Sequence, residues 1–190
     1  MMKRYFLSGS LFLLVVFIAV FVTVVPTFFT KGVSRVTLDQ EIKLDKVLSS
    51  HNDIEFVFFG YAGCLDVCTP RLQQLGTWFA LLPKSIQKRV GVRFLDLSVP
   101  LDTSVPDTFA KTFHQEFTGE YLSQEVLRRY TKAFNVYFAN SLARKDEIDH
   151  SANLYLIKRY NTSKKIRFIY TAYPYDFKQI MSDVKELINE

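Results

Sequence analysis

The hydrophobic pattern divides the chain into a short apolar leader and a longer alternating region. No Asp, Glu, Lys, Arg or His occurs from Tyr5 to Thr30, and 16 of the 19 residues in Leu11–Phe29 are apolar. A helix needs about 20 such residues to cross a membrane. Ile54–Phe59 reads Ile-Glu-Phe-Val-Phe-Phe, a nearly continuous apolar run that predicts a strand buried on both faces of a sheet. Gly60–Thr69 is a loop. Pro70 then opens a helix with Leu72, Leu75, Phe79 and Leu82 on one face, stopped by Pro83. Val90–Leu97 predicts a second strand, and Asp107–Phe117 a helix with Phe109 and Phe113 four apart. Ser123 caps a helix that carries Val126, Leu127, Tyr130 and Phe134. Asn153–Lys158 and Ile166–Thr171 form a hairpin around the polar turn Tyr160–Lys165. A last helix aligns Phe177, Ile180, Met181, Val184, Leu187 and Ile188 in one stripe.

This order of strands and helices predicts an α/β fold. Parallel strands with crossover helices come first, then an antiparallel hairpin and a closing helix, a thioredoxin-like sheet with flanking helices. One N-terminal transmembrane helix precedes it, so residues 1–30 are expected to be a membrane anchor and 31–190 the folded domain. The apolar run exceeds the core of a signal peptide, and Val24-Val25-Pro26-Thr27 offers no small-residue cleavage site. Lys3 and Arg4 flank one end, Lys31 and Arg35 the other, so charge nearly ties. The short basic leader favours a single-pass protein of a bacterial inner membrane with its domain facing the periplasm.

Composition adds exclusions. Hydrophobic residues make up 48% and charged residues 23% of the 190, which fits a folded chain. The net charge is +5, and +3 after the two basic residues of the leader are set aside, too little to argue for nucleic acid. Lys158, Arg159, Lys164, Lys165 and Arg167 flank one turn and read as a solvated hairpin tip. Two cysteines exclude a disulfide-dense scaffold and a four-thiolate zinc site.

Those two cysteines carry the candidate chemistry. Cys64 and Cys68 lie four apart, after a buried strand and before a helix. At that spacing both sulfurs can converge on one atom or on each other. A disulfide here would close a very small loop and add little stability, so metal binding or redox chemistry remains. Three intervening residues depart from the two of an ordinary thioredoxin centre. The helix N-terminus is expected to favour a thiolate at Cys68. Two thiolates with one imidazole suit a soft metal such as Cu(I). His51 lies in a polar stretch and His114 mid-helix, and both read as solvated. His150 immediately precedes a strand that can return beside the cysteine loop. A metal-free thiol–disulfide oxidoreductase is the rival from another class. A peroxidase with Arg71 as activating residue is a third reading.

At these residues the chain resembles the Sco/SenC family of copper chaperones for cytochrome c oxidase. Phe58-Phe59-Gly60-Tyr61-Ala62-Gly63-Cys64-Leu65-Asp66-Val67-Cys68 is similar to the family's F-G-[YF]-T-x-C-P-D-V-C-P stretch. Phe94–Ser98, Asp102-Thr103, Phe134–Tyr137 and Asp149-His150-Ser151-Ala152 resemble further family segments in the same order. The resemblance implies that Cys64, Cys68 and His150 bind Cu(I) or Cu(II), with Asp66 modulating the loop. The implied partner is the copper-accepting subunit of a respiratory oxidase, whose dinuclear copper centre such proteins help to build. They have also been proposed to reduce that centre's cysteines. Oxidation is expected to join Cys64 to Cys68 in a reversible disulfide and abolish the copper site. Leu65 and Thr69 stand where the family usually has proline, Ala62 where it often has threonine, and Ser98–Leu101 replaces its usual turn entry.

Overall fold

The computed structural model describes residues 14–18, 21, 34–42, 52–98, 102–142, 144, 147–161 and 163–190. The chain divides into two compact units, Met1–Ser34 and Arg35–Glu190. In the first, residues 14–18 and 21 are helical. The rest of the expected anchor over 1–30 lies outside the described residues. Among the described residues, no helix is long and apolar enough to cross a membrane. His51 also lies outside them.

The second unit is a mixed α/β sheet with flanking helices. Its strands are β1 (Arg35–Ile42), β2 (Ile54–Gly60), β3 (Val90–Asp96), β4 (Thr118–Tyr121), β5 (Phe138–Asn140), β6 (Ile148–His150), β7 (Leu154–Arg159) and β8 (Lys164–Tyr170). Its helices are α1 (Cys68–Ala80), α2 (Lys84–Gln87), α3 (Val105–Lys111), α4 (Gln124–Phe134) and α5 (Phe177–Asn189). Among the described residues the main sheet runs β1-β8-β7-β2-β3-β4, and β5 pairs with β6 alone. β2 is parallel to β3, in register from Ile54↔Val90 to Gly60↔Asp96, and antiparallel to β7.

Strand alternation sorts the core into two layers. Ile54, Phe56 and Phe58 turn to the face that packs with Leu72, Leu75 and Phe79 of α1 and with Ile180, Val184 and Leu187 of α5. Val57 and Phe59 turn to the other face, with Leu127, Tyr130 and Phe134 of α4. All seven β2 residues are buried, as expected of a strand covered on both sides. Each fully buried Phe, Leu or Val contributes about 1.5–3 kcal/mol of hydrophobic stabilisation, so these layers hold the sheet together. The one charge in β2, Glu55, is tolerated because Arg93 of β3 pairs with it at 2.7 Å.

Several elements differ from the sequence pattern. α3 ends at Lys111 instead of continuing to Phe117, and Thr118–Tyr121 extends the sheet beside β3. α1 begins at Cys68, two residues before Pro70. Ser123 occupies the N-cap of α4, but its side chain makes no capping bond; its carbonyl accepts the N–H of Leu127. The basic cluster at the β7–β8 hairpin is engaged within the domain. Lys158 is buried and donates to the Leu187 carbonyl, Lys165 pairs with Asp39, and Arg167 pairs with Glu190.

Candidate metal centre

The ends of β2 and β3 prepare the cysteine loop. Gly60 closes β2 where a side chain would have no room: a Cβ there would lie 2.6 Å from Cys68 Sγ and 3.0 Å from the Phe94 ring. Gly63 holds φ +93°, a turn geometry open mainly to glycine. Asp96, fully buried at the end of β3, accepts from the Ala62 N–H at 3.1 Å and from the N–H and hydroxyl of Ser98. That buried carboxylate ties the cysteine loop to the neighbouring strand, and its ordered bonds offset its burial.

From this frame the chain enters α1. The N–H of Cys68 donates to Cys64 Sγ at 3.3 Å, while the N–H and hydroxyl of Thr69 both donate to the Cys64 carbonyl. Cys64 is 4% exposed and Cys68 0%, and both are free thiols.

His150 arrives from the far side of the sequence on the β5–β6 hairpin, where it pairs with Phe138. The next residue locks the hairpin: the Ser151 N–H donates to the Tyr137 carbonyl at 2.9 Å, and the Tyr137 N–H donates to Ser151 Oγ at 3.1 Å. Asn135, in the left-handed region at φ 51°, turns the chain out of α4 toward Tyr137. The Phe134–Tyr137 segment thus places the hairpin that carries the histidine. His150 Nδ1 lies 3.1 Å from the Ser151 carbonyl. A carbonyl only accepts, so Nδ1 holds the proton and Nε2 presents its lone pair. Nε2 lies 3.5 Å from Cys68 Sγ. Tyr61 packs edge-on to the imidazole with ring centroids 6.1 Å apart.

Cys64 Sγ, Cys68 Sγ and a His150 ring nitrogen all lie within 4.8 Å of one another. Three ligands around one soft ion, with metal–sulfur bonds near 2.3 Å, need sulfurs about 4 Å apart. The side chains therefore need only a small inward shift to hold a metal. The structure brings together all three residues that the sequence singled out. His114 is not among them: it follows α3 instead of lying within it, half-buried with its ring 4.8 Å from Phe79 and 5.4 Å from Phe117. Arg71 stacks over Tyr173 at 4.6 Å and donates to the Val67 carbonyl.

The electrostatics reverse one expectation. The Cys64 thiol is held below its ordinary pKa first by the hydrogen bond from the Cys68 side chain and further by the backbone N–H groups of Cys68 and Val67, against the opposing effect of burial. Cys68 is pushed up, first by its hydrogen bond to Cys64 and then by burial. The favoured thiolate is Cys64, not Cys68. Tyr61 is raised to about 12, by burial first and by Cys64 next.

An open cleft of about 570 Å³ leads to the centre, lined by Cys64 and His150 but not by Cys68. Asp66, in the cysteine loop, pairs across it with Arg144 at 2.6 Å, and Arg144 also reaches Glu147 at 2.9 Å. Sequence reasoning missed the roles of Asp96, Arg144 and Ser151. The only local signal was at Asp96, a carboxylate closing a largely apolar strand.

A family model described as SCO1/SenC matches residues 45–189. SCO2-like proteins of Rickettsia conorii and Rickettsia felis are each 26% identical over 110 residues, 55% of this chain and 53% of theirs. The chain thus spans about half the length of the curated relatives it matches. Apo Sco1 from Thermus thermophilus superposes with a TM-score of 0.62 at 25% identity, covering 83% of this chain and 95% of that one. Arabidopsis thaliana ScoI with copper bound shares the fold with a TM-score of 0.59 at 20% identity, covering 73% and 86%. Yeast Sco1 with copper bound gives 0.59 at 20% identity, covering 73% and 77%. Because that family model matches residues 45–189, well over half of the chain, the chain belongs to the SCO1/SenC family.

Proposed function

We propose that this protein binds copper through Cys64, Cys68 and His150 and passes it to the copper-accepting subunit of a respiratory oxidase. The observation that carries this reading is the convergence of two sulfurs and one imidazole from elements 82 residues apart. Dithiol exchange alone has no use for the distant histidine, whereas a soft metal ion does. The Arabidopsis and yeast relatives, solved with copper bound, lend support through shared fold and family. The apolar run Leu11–Phe29 supports a single-pass anchor in a bacterial inner membrane, with the domain in the periplasm. The cysteine pair also suits redox work on the acceptor's thiols, and its oxidation to a disulfide would remove both sulfur ligands.

The test is Cu(I) titration of the reduced full chain against a competing chelator. One copper per chain is expected, weakened at least about tenfold in Cys64→Ser, Cys68→Ser and His150→Ala, and unchanged in His114→Ala and His51→Ala. If His150→Ala binds both Cu(I) and Cu(II) as the unaltered chain does, the metal-free thiol–disulfide oxidoreductase becomes the better reading.

A further inference from the structure

Both sulfurs are shielded, and among the described residues the cleft on the Cys64 and His150 side leads to a metal held between them. A macromolecular acceptor has to seat on the mouth of that cleft, and the residues there describe its counterpart. Two large aliphatic side chains stand uncovered. Leu65, between the cysteines, is 75% exposed, and Leu142, beyond β5, is 103% exposed. They come from distant parts of the chain but share one place. Asp66, next to Leu65, pairs at 2.6 Å with Arg144, two residues after Leu142. Leu81, at 80%, is exposed elsewhere in the domain, but Leu65 and Leu142 lie within two residues in sequence of the two partners of this ion pair, which leaves apolar surface beside the cleft that an acceptor must touch.

Charge narrows the partner further. Among the described residues, the cleft is lined by the carboxylates of Asp66, Glu147 and Asp149 against the single guanidinium of Arg144. Arg144 already serves both Asp66 and Glu147, and Asp149 is exposed beside His150. The described lining therefore carries excess negative charge, which repels small anionic thiols and attracts basic side chains.

We propose that this mouth is a docking surface for a protein segment whose thiol is flanked by aliphatic and basic side chains. The aliphatic groups cover Leu65 and Leu142, and the basic groups face Glu147 and Asp149. The identity of the cargo rests on the copper reading above, but docking itself requires no metal and is measured without it.

The probe is a short fluorescent peptide with one cysteine between leucine and lysine residues. Its binding to the metal-free, reduced full chain is followed by anisotropy, beside matched peptides with lysine→glutamate or leucine→serine. The lysine peptide should bind about tenfold more tightly than the glutamate peptide at low salt, a gap that narrows as salt is raised. Leu65→Ser combined with Leu142→Ser, and separately the serine peptide, should each weaken binding about tenfold. Thermal unfolding of the double variant checks its fold, and its copper stoichiometry should stay at that of the unaltered chain. Equal binding of the lysine and glutamate peptides, or full binding by a folded double variant, overturns the docking surface. A chain that takes up no copper overturns the copper reading instead and leaves the anisotropy result standing.

Discussion

A thiol gains from a helix end only when its sulfur lies where the backbone N–H groups point. Cys68 is the first residue of α1, yet its own N–H is aimed back at Cys64 Sγ. The helix end therefore stabilises negative charge on the sulfur four residues earlier, while Cys68, sealed against the Gly60 backbone, acts as a hydrogen-bond donor. The spacing of the cysteines was legible in the sequence; the direction of that bond was not, because it depends on where the helix starts. Reactivity should follow the observed order. With its pKa lowered, Cys64 stays thiolate as pH falls from 8 to 6, whereas an ordinary thiol loses about tenfold in thiolate per pH unit. Limited iodoacetamide labelling of the reduced, metal-free chain, read by peptide mass, should modify Cys64 first at a nearly constant rate across that range. Labelling of Cys68 first, or a rate that drops tenfold per unit, would contradict the charge assignment.

Elements with a strong period were legible, and elements defined by their partners were not. β2, α1, α4, the β7–β8 hairpin and α5 carry long apolar stripes that only one packing satisfies. β4 has four residues, and β5 and β6 have three each, too few for alternation to register. β1 alternates poorly because it is an edge strand with a register shift between Thr37 and Gln40. The β5–β6 hairpin matters most, since it alone delivers His150. Its orientation depends on the Ser151 hydroxyl, which accepts from the Tyr137 N–H, and on the Ser151 carbonyl, which holds the imidazole proton on Nδ1. Ser151→Ala keeps the carbonyl but removes the hydroxyl. A lost supporting bond around a ligand typically weakens metal binding about 10–100-fold, and the exposed setting here points to the lower end. The variant should therefore hold Cu(I) about tenfold less tightly while melting within a few degrees of the unaltered chain. Unchanged affinity by chelator competition would show that strand pairing alone fixes the histidine.

At the scale of the whole domain, the site depends on a sheet whose edge is pinned at a single buried carboxylate. Asp183 of α5 is 1% exposed. It accepts two bonds from Arg35 at the start of β1, at 2.8 and 2.7 Å, one from the Tyr170 hydroxyl at the end of β8, and one from Gln179. Arg35 also lies over the Phe168 ring, 4.2 Å from its centroid. The sequence offered Arg35 only as part of a flank to the apolar run and Asp183 only as a polar gap in a helical stripe. Neither pattern shows that the two residues meet, because the contact spans 148 positions. Asp183→Asn keeps the shape but replaces an acceptor oxygen with a donor amide, so one of the facing donors loses its partner. Arg35 also loses its counter-charge. Breaking a buried pair from one side typically costs about 3–5 kcal/mol, and the partial exposure of Arg35 places the cost near the lower value. For a domain of this size that corresponds to a melting point lower by roughly 10 °C. Asp183 does not line the metal cleft, so the folded variant should still bind one copper per chain at low temperature. Calorimetry and copper titration of the same preparation separate the two effects. An unchanged melting point would show that the cluster adds nothing beyond its own desolvation cost. Lost copper binding in a folded sample would show that the edge of the sheet and the metal centre are coupled through β8, β7 and β2.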